Sequence, residues 1–203
     1  MQETCLNNVR NYVLSLLTTR TPIENFYHDV NHTKEVVQSV IEIGTGEKLS
    51  ADELEIIQIA AWFHDVGYIE KTDGHEKISA EYARKFLTKL QYPAGKIEII
   101  VGAIHATKVP QKPKDKFQKL LCDADLFHLG KETFFERNDK YRVEYENHLG
   151  QKLSERDWLI KTIDFIKDQN FFTDYVKSNF GDQKKENLKQ LQEQLQQISI
   201  NFD

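Results

Sequence analysis

At 203 residues and 39% hydrophobic, the chain is long enough to bury one substantial core, and a single domain over residues 1–203 is expected. A net charge of -5 and a pI near 5.8 exclude any general attraction to nucleic acid or anionic membranes, so the expected partner is a small molecule. With only Cys5 and Cys122, no apolar stretch near the roughly 20 residues of a membrane helix, and no basic secretory start in Met1–Thr4, a reduced, cytoplasmic protein is expected.

Leu6, Val9, Val13, Leu16 and Leu17 predict a first helix, broken at Thr18-Thr19-Arg20-Thr21-Pro22. A second starts at Asp29 or Asn31, either of which can cap, and stops at Gly44, with Val36, Val37, Val40 and Ile43 inward. His32 projects from that same face, and His28 lies one turn earlier. Ser50-Ala51-Asp52-Glu53 has the form of a capping box and opens a third helix whose inward stripe reads Leu54, Ile57, Ala61 and His64. Burying this imidazole beside the Asp65 carboxylate at the end of an apolar run is costly unless a cation neutralises the carboxylate. His64 and Asp65 therefore read as metal ligands.

After Gly67, a loop through Lys71, Thr72, Asp73 and Gly74 leads to a fourth helix bearing Ile78, Tyr82, Ala83, Phe86, Leu87 and Leu90, with His75 at its beginning. The fifth shows Ile97, Ile100, Val101, Ile104 and His105 at helical spacing, which places another histidine on an inward face. Lysines in the proline-punctuated loop that follows, Lys108, Lys112 and Lys114, suit phosphate oxygens if they face a site. In the sixth helix Phe117, Leu120, Leu121, Ala124 and His128 define a face. At about 100° per residue Asp125 falls near its edge and Asp123 is turned further away, which favours Asp125 as the ligand. Beyond Gly130, Phe134, Phe135, Tyr141 and Tyr145, then Leu159, Ile163 and Ile166 after a cap at Ser154, read as packing helices without chemistry. The seam Leu188, Leu191, Leu195 and Ile198 docks a last helix on the domain or on a second copy, giving a homodimer.

His32, His64 with Asp65, and Asp125 stand in the order H, HD, D. With Tyr27-His28-Asp29-Val30-Asn31-His32-Thr33 upstream, Trp62-Phe63-His64-Asp65-Val66-Gly67-Tyr68 in the middle and Asp123-Ala124-Asp125-Leu126 downstream, the chain resembles the HD superfamily of metal-dependent phosphohydrolases. The resemblance implies an all-α fold: a single HD-domain-like helical bundle with a motif-bearing core over about residues 25–130 and additional C-terminal helices over about 131–203. It also implies that His32, His64, Asp65 and Asp125 bind one divalent ion, with Asp65 able to bridge to a second. Two imidazoles and two carboxylates suit Mn, Fe, Co, Ni, Zn or, less well, Mg.

Around Tyr27 to His32 the chain is also similar to cyclic nucleotide phosphodiesterases, in which the first histidine of the motif is the general acid. That role falls here on His28, with Asp29 where the motif has asparagine. Two-metal members use further histidines in the interval that holds His75 and His105, so both are expected to bind a second ion or the substrate, and His105 is an alternative proton donor. Lys108 and Lys112 would neutralise phosphate charge. The Glu-Asp pair that follows HD in relatives acting on guanosine tetraphosphate is replaced by Val66-Gly67-Tyr68-Ile69, which argues against that substrate. The implied activity is hydrolysis, by metal-activated water, of a phosphate ester of a nucleotide or other small phosphometabolite, as a monoesterase or a diesterase. The same scaffold also serves di-iron oxygenases, and a non-catalytic nucleotide-binding module is the third reading.

Overall fold

The computed structural model describes residues 4–200, with side chains through Ile198. The described residues form nine α-helices and no strands: α1 Cys5–Arg20, α2 Val30–Gly46, α3 Ala51–Phe63, α4 His75–Lys89, α5 Ala94–Ala106, α6 Lys116–Asp125, α7 Phe134–Leu149, α8 Glu155–Asp168 and α9 Asp174–Ile200. Short 3-10 turns at Val66–Ile69 and Phe127–Gly130 follow α3 and α6. The all-α expectation holds. None of the described helices is long and apolar enough to cross a membrane.

Local sequence sets the helix starts. Asp29 caps α2 by accepting from the backbone N–H groups of Asn31 and His32, which fixes the first turn that carries His32. Ser50 and Glu53 complete the expected capping box on α3. Ile56, Ile57 and Ile59 through Phe63 are all buried, so the second half of α3 is enclosed and runs through the larger apolar cluster. Helix α2 continues two residues past the expected stop at Gly44. That glycine serves packing, because a Cβ there would lie 2.6 Å from the Leu54 side chain, and the chain reverses instead at Lys48, whose φ is 59°.

A second apolar cluster joins Leu126, Leu129, Phe134, Leu159, Ile163, Ile166 and Leu191, with Leu188, Leu195 and Ile198 packed against it. The seam of α9 therefore lies on α8 of its own chain. Asp123 fastens the start of this region: its carboxylate accepts from the N–H of Phe172 at 2.8 Å and from the N–H and hydroxyl of Thr173 at 2.7 and 2.6 Å. It is thus turned away from Asp125, as the helical angle requires, and is buried rather than on the surface. Leu191 is 1% exposed at the centre of the seam, so Leu191→Ala should cost about 2–5 kcal/mol of stability, seen as a lower urea midpoint. An unchanged midpoint would mean that α9 does not dock as described.

Candidate metal centre and its flanking cavities

The four side chains expected to share an ion arrive from three places: the first turn of α2 (His32), the end of α3 (His64 and Asp65) and the end of α6 (Asp125). One ligand atom from each lies within 4.8 Å of all the others. His32 Nε2 is 3.2 Å from Asp65 Oδ2 and 3.5 Å from Asp125 Oδ1, and His64 Nε2 is 3.1 and 3.6 Å from the same two atoms. The two Nε2 atoms are 3.4 Å apart. Four donors each about 2.1 Å from one centre would be separated by about 3.0–3.4 Å, so these edges fit a divalent ion. Asp65 Oδ2 is buried without a hydrogen-bond partner, which is the lone pair a cation would occupy.

Supporting contacts aim the ligands. The Ala61 carbonyl accepts only, so His64 Nδ1–H must donate to it, at 2.8 Å, and Nε2 faces the cluster. Arg137 on α7 lies with Nη2 3.1 Å from His32 Nδ1, pairs with Glu35 at 3.0 Å and lies over the Tyr27 ring. Burial opposes charge on His32 and His64, but the facing Asp65 and Asp125 carboxylates outweigh it and raise both imidazoles above their ordinary value. Burial likewise pushes the carboxylates up, yet the imidazoles hold Asp65 well below the usual range and Asp125 at about 2.

His75 joins this group. Its Nδ1–H donates to the Thr72 carbonyl at 2.8 Å and its Nε2 lies 3.4 Å from Asp65 Oδ1, the oxygen turned away from the four-atom set. Gly67 makes the approach possible, since a Cβ there would collide with the His75 carbonyl. Its N–H also donates to Ser79 at 2.8 Å. Gly67→Ala should therefore displace α4 and His75, destabilising the fold by about 1–3 kcal/mol; an unchanged melting temperature would sink this account.

His28 sits beside the cluster, its ring centroid 5.6 Å from that of His32. Its Nδ1 is in short contact with Glu144 Oε1, while Glu144 Oε2 accepts from the N–H groups of Tyr27 and His28 at 2.8 and 2.9 Å. Burial raises Glu144, but the His28 hydrogen bond and charge with these N–H groups bring its carboxyl below the usual range. Tyr68 stacks on His28 at 3.9 Å and lies tilted against the His75 ring at 4.0 Å. His128, missed as a site residue, is 3.2 Å from the Tyr27 hydroxyl; burial, with nearby positive charge, pushes it down to about 3 and keeps it neutral.

Two cavities flank the cluster. One of about 240 Å³ is lined by His32 and Asp125, by the cations Lys131, Arg137 and Lys140, and by Glu35, Glu42 and Glu136, of which Glu35 pairs with Arg137 and Glu136 with Lys140. The other, of about 270 Å³, is lined by His28, Tyr68, Thr72, Tyr141, Tyr145 and His148. His105, Lys108 and Lys112 line neither and are exposed. The inward placement of His105 is thus corrected. Ile97, Ile100, Val101, Ala103 and Ile104 are the buried residues of α5, and His105 falls about 80° from Ile97, just beyond that arc. The cations beside the cluster come instead from Lys131 and from α7, a helix that sequence reasoning had treated as packing. The signal there is Arg137, Tyr141, Glu144, Tyr145 and His148 at helical spacing: a face of aromatic and charged residues where a packing helix would carry aliphatic ones.

An all-helical bundle holding a two-histidine, two-aspartate cluster at the ends of its buried helices defines the class. The HD-domain profile matches residues 29–130, and the chain belongs to the HD-domain family. None of the curated proteins matches it. Its fold is similar to that of Bacillus subtilis YpgQ solved in complex with ADP, at 20% identity over 95% of this chain and 93% of that one, with a TM-score of 0.64. It is similar to a Lactobacillus plantarum protein at 15% identity over 99% and 98% of the two chains, TM-score 0.68. A predicted HD superfamily hydrolase from an uncultured Thermotogales bacterium shares 21% identity over 79% and 88%, TM-score 0.55.

Proposed function

We propose that the protein is a metal-dependent phosphohydrolase acting on a phosphate ester of a nucleotide or related small metabolite. The observation that carries this reading is the convergence of His32, His64, Asp65 and Asp125 within 4.8 Å, with Asp65 Oδ2 buried and unpartnered, beside the His28–Glu144 pair. A divalent ion bound by those four residues supplies an acidified water and charge neutralisation at phosphorus. The chain's own groups do the rest. Arg137 and Lys131 offer donors to the non-reacting phosphate oxygens from the cation-bearing cavity. His75, beside Asp65, offers another hydrogen bond on the opposite side. Glu144 engages Nδ1 of His28, so the proton for the leaving oxygen passes from Nε2. Burial of all but one edge of the cluster keeps bulk water from competing for these charges. The ADP bound by a protein of the same fold makes nucleotides the first substrates to try.

The test is direct. Purified protein loaded in turn with Mn, Co, Ni, Fe, Zn and Mg is offered a panel of phosphometabolites, and release of inorganic phosphate or a nucleotide product is expected with at least one metal. No turnover with any metal, or two bound irons with an oxygen-sensitive spectrum, would reject the proposal, the second result in favour of an oxygenase.

A further inference from the structure

The cavity on the His28 side has no place in the chemistry above, yet its walls are built as a binding site. Tyr68 stacks on His28 at 3.9 Å and lies tilted against the His75 ring at 4.0 Å, which fixes the plane of its ring. Tyr141 and Tyr145, one turn apart on α7, have ring centroids 6.1 Å apart, and each lies 6.0 Å from the Trp158 ring behind them. These walls are aromatic rings held by their neighbours, a surface suited to another planar ring rather than to a flexible tail. The edges are polar. Asn25 Oδ1 is 3.2 Å from His148 Nε2, which makes that nitrogen the donor and leaves Nδ1 as an acceptor. Thr72 adds a hydroxyl. A volume of about 270 Å³ is just under the roughly 300 Å³ at which small-molecule sites begin, enough for one planar ring system.

We infer that this cavity seats the nucleobase of the substrate, with the reacting phosphoryl group at the metal cluster and any further phosphates toward Arg137, Lys131 and Lys140. The inference rests on the phosphohydrolase reading. His28 and Tyr68 border both the cavity and the cluster, so a ring in the cavity is continuous with a phosphoryl group at Asp65. One face of α7 serves both ends: Arg137 to His148 spans about 16 Å at 1.5 Å per residue, with the cluster alongside.

Two measurements separate the subsite from the hydrolysis. In the first, adenosine and uridine, which carry no phosphate, are added to metal-free protein and followed by ligand-observed NMR with ribose as the control. Binding of a nucleoside but not ribose is expected. Tyr145→Ala should weaken it at least tenfold, whereas Tyr145→Phe, which keeps the ring, should retain it. Nucleosides that bind no better than ribose, or equally well to Tyr145→Ala, overturn the subsite. In the second, metal-loaded protein is given AMP and ribose 5-phosphate, and kcat/KM should favour AMP at least tenfold, a ratio that falls toward one in Tyr145→Ala. Equal kcat/KM on the two esters would overturn the subsite and leave hydrolysis standing. Nucleoside binding with neither inorganic phosphate nor a nucleotide product released from any ester would overturn the hydrolytic reading and leave the subsite standing.

Discussion

Asp65→Ala should abolish metal binding and hydrolysis together while the helical far-UV spectrum is unchanged. Asp65 contributes Oδ2 to the four-atom set and turns Oδ1 toward His75, so its loss removes one ligand and releases a second histidine. The fold should survive because α3 ends one residue before His64 and its apolar residues, Ile56 through Phe63, pack without the carboxylate. A thermal readout independent of activity comes from linkage. At a metal concentration of about 100 times Kd the native state gains about 2.7 kcal/mol. For about 200 residues that is a rise in Tm of roughly 5–11 °C, which Asp65→Ala and the isosteric Asp65→Asn should both lose. The rise should also shrink as pH falls. Asp65 and Asp125 raise His32 and His64, so these imidazoles keep their protons to higher pH than free histidine, and an ion must displace them. Apparent affinity should drop about tenfold per pH unit for each proton displaced, below the raised imidazole values. Full hydrolysis by purified, metal-loaded Asp65→Ala protein would refute the assignment of the site.

The residues that were legible in the sequence share one property: they continue or terminate an apolar stripe. His64 ends the run Ile56–Phe63, His32 lies on the Val36 and Val40 face, and Asp125 stands at the edge of the Leu121 and Ala124 face, so helical spacing alone aims them inward. Spacing fails where a residue sits at the margin of the buried arc, as His105 does, because about 40° separates it from Val101, the nearest buried position. It fails again for Lys108 and Lys112, whose loop has no periodicity to say which way it faces. Residues that act through distant partners are the least legible. Glu144 meets His28 across 116 positions of sequence and Arg137 meets His32 across 105, and neither contact leaves a local pattern beyond a charged residue on a buried face. The same helix positions that looked like packing therefore supply one wall of each cavity.

The pair His28 and Glu144 gives the last expectation. His28→Asn should lower kcat about 10²- to 10⁴-fold on a nucleoside or sugar phosphate, whose alkoxide leaving group needs a proton, and far less on p-nitrophenyl phosphate, whose leaving oxygen departs without one. Metal binding, read as the ion-induced rise in Tm, should persist, because His28 is not one of the four converging side chains. Glu144→Gln should show the same selectivity with a smaller loss. Glu144 is a positioning residue: one oxygen holds His28 Nδ1 while the other is held by the N–H groups of residues 27 and 28, and an amide can keep only one of these roles as an acceptor. The direction of its pH dependence follows from its charge. Its carboxyl is held below the usual range, so the stability it adds is complete above the unfolded value of about 4.3 and is lost as pH falls through the lower native one. The pairing is therefore intact at neutral pH, and the selective loss in Glu144→Gln should be visible there without acid unfolding. Equal losses on the alkyl and aryl esters in His28→Asn would show that the ring serves packing against Tyr68, and the proton would then have to come from elsewhere in the site.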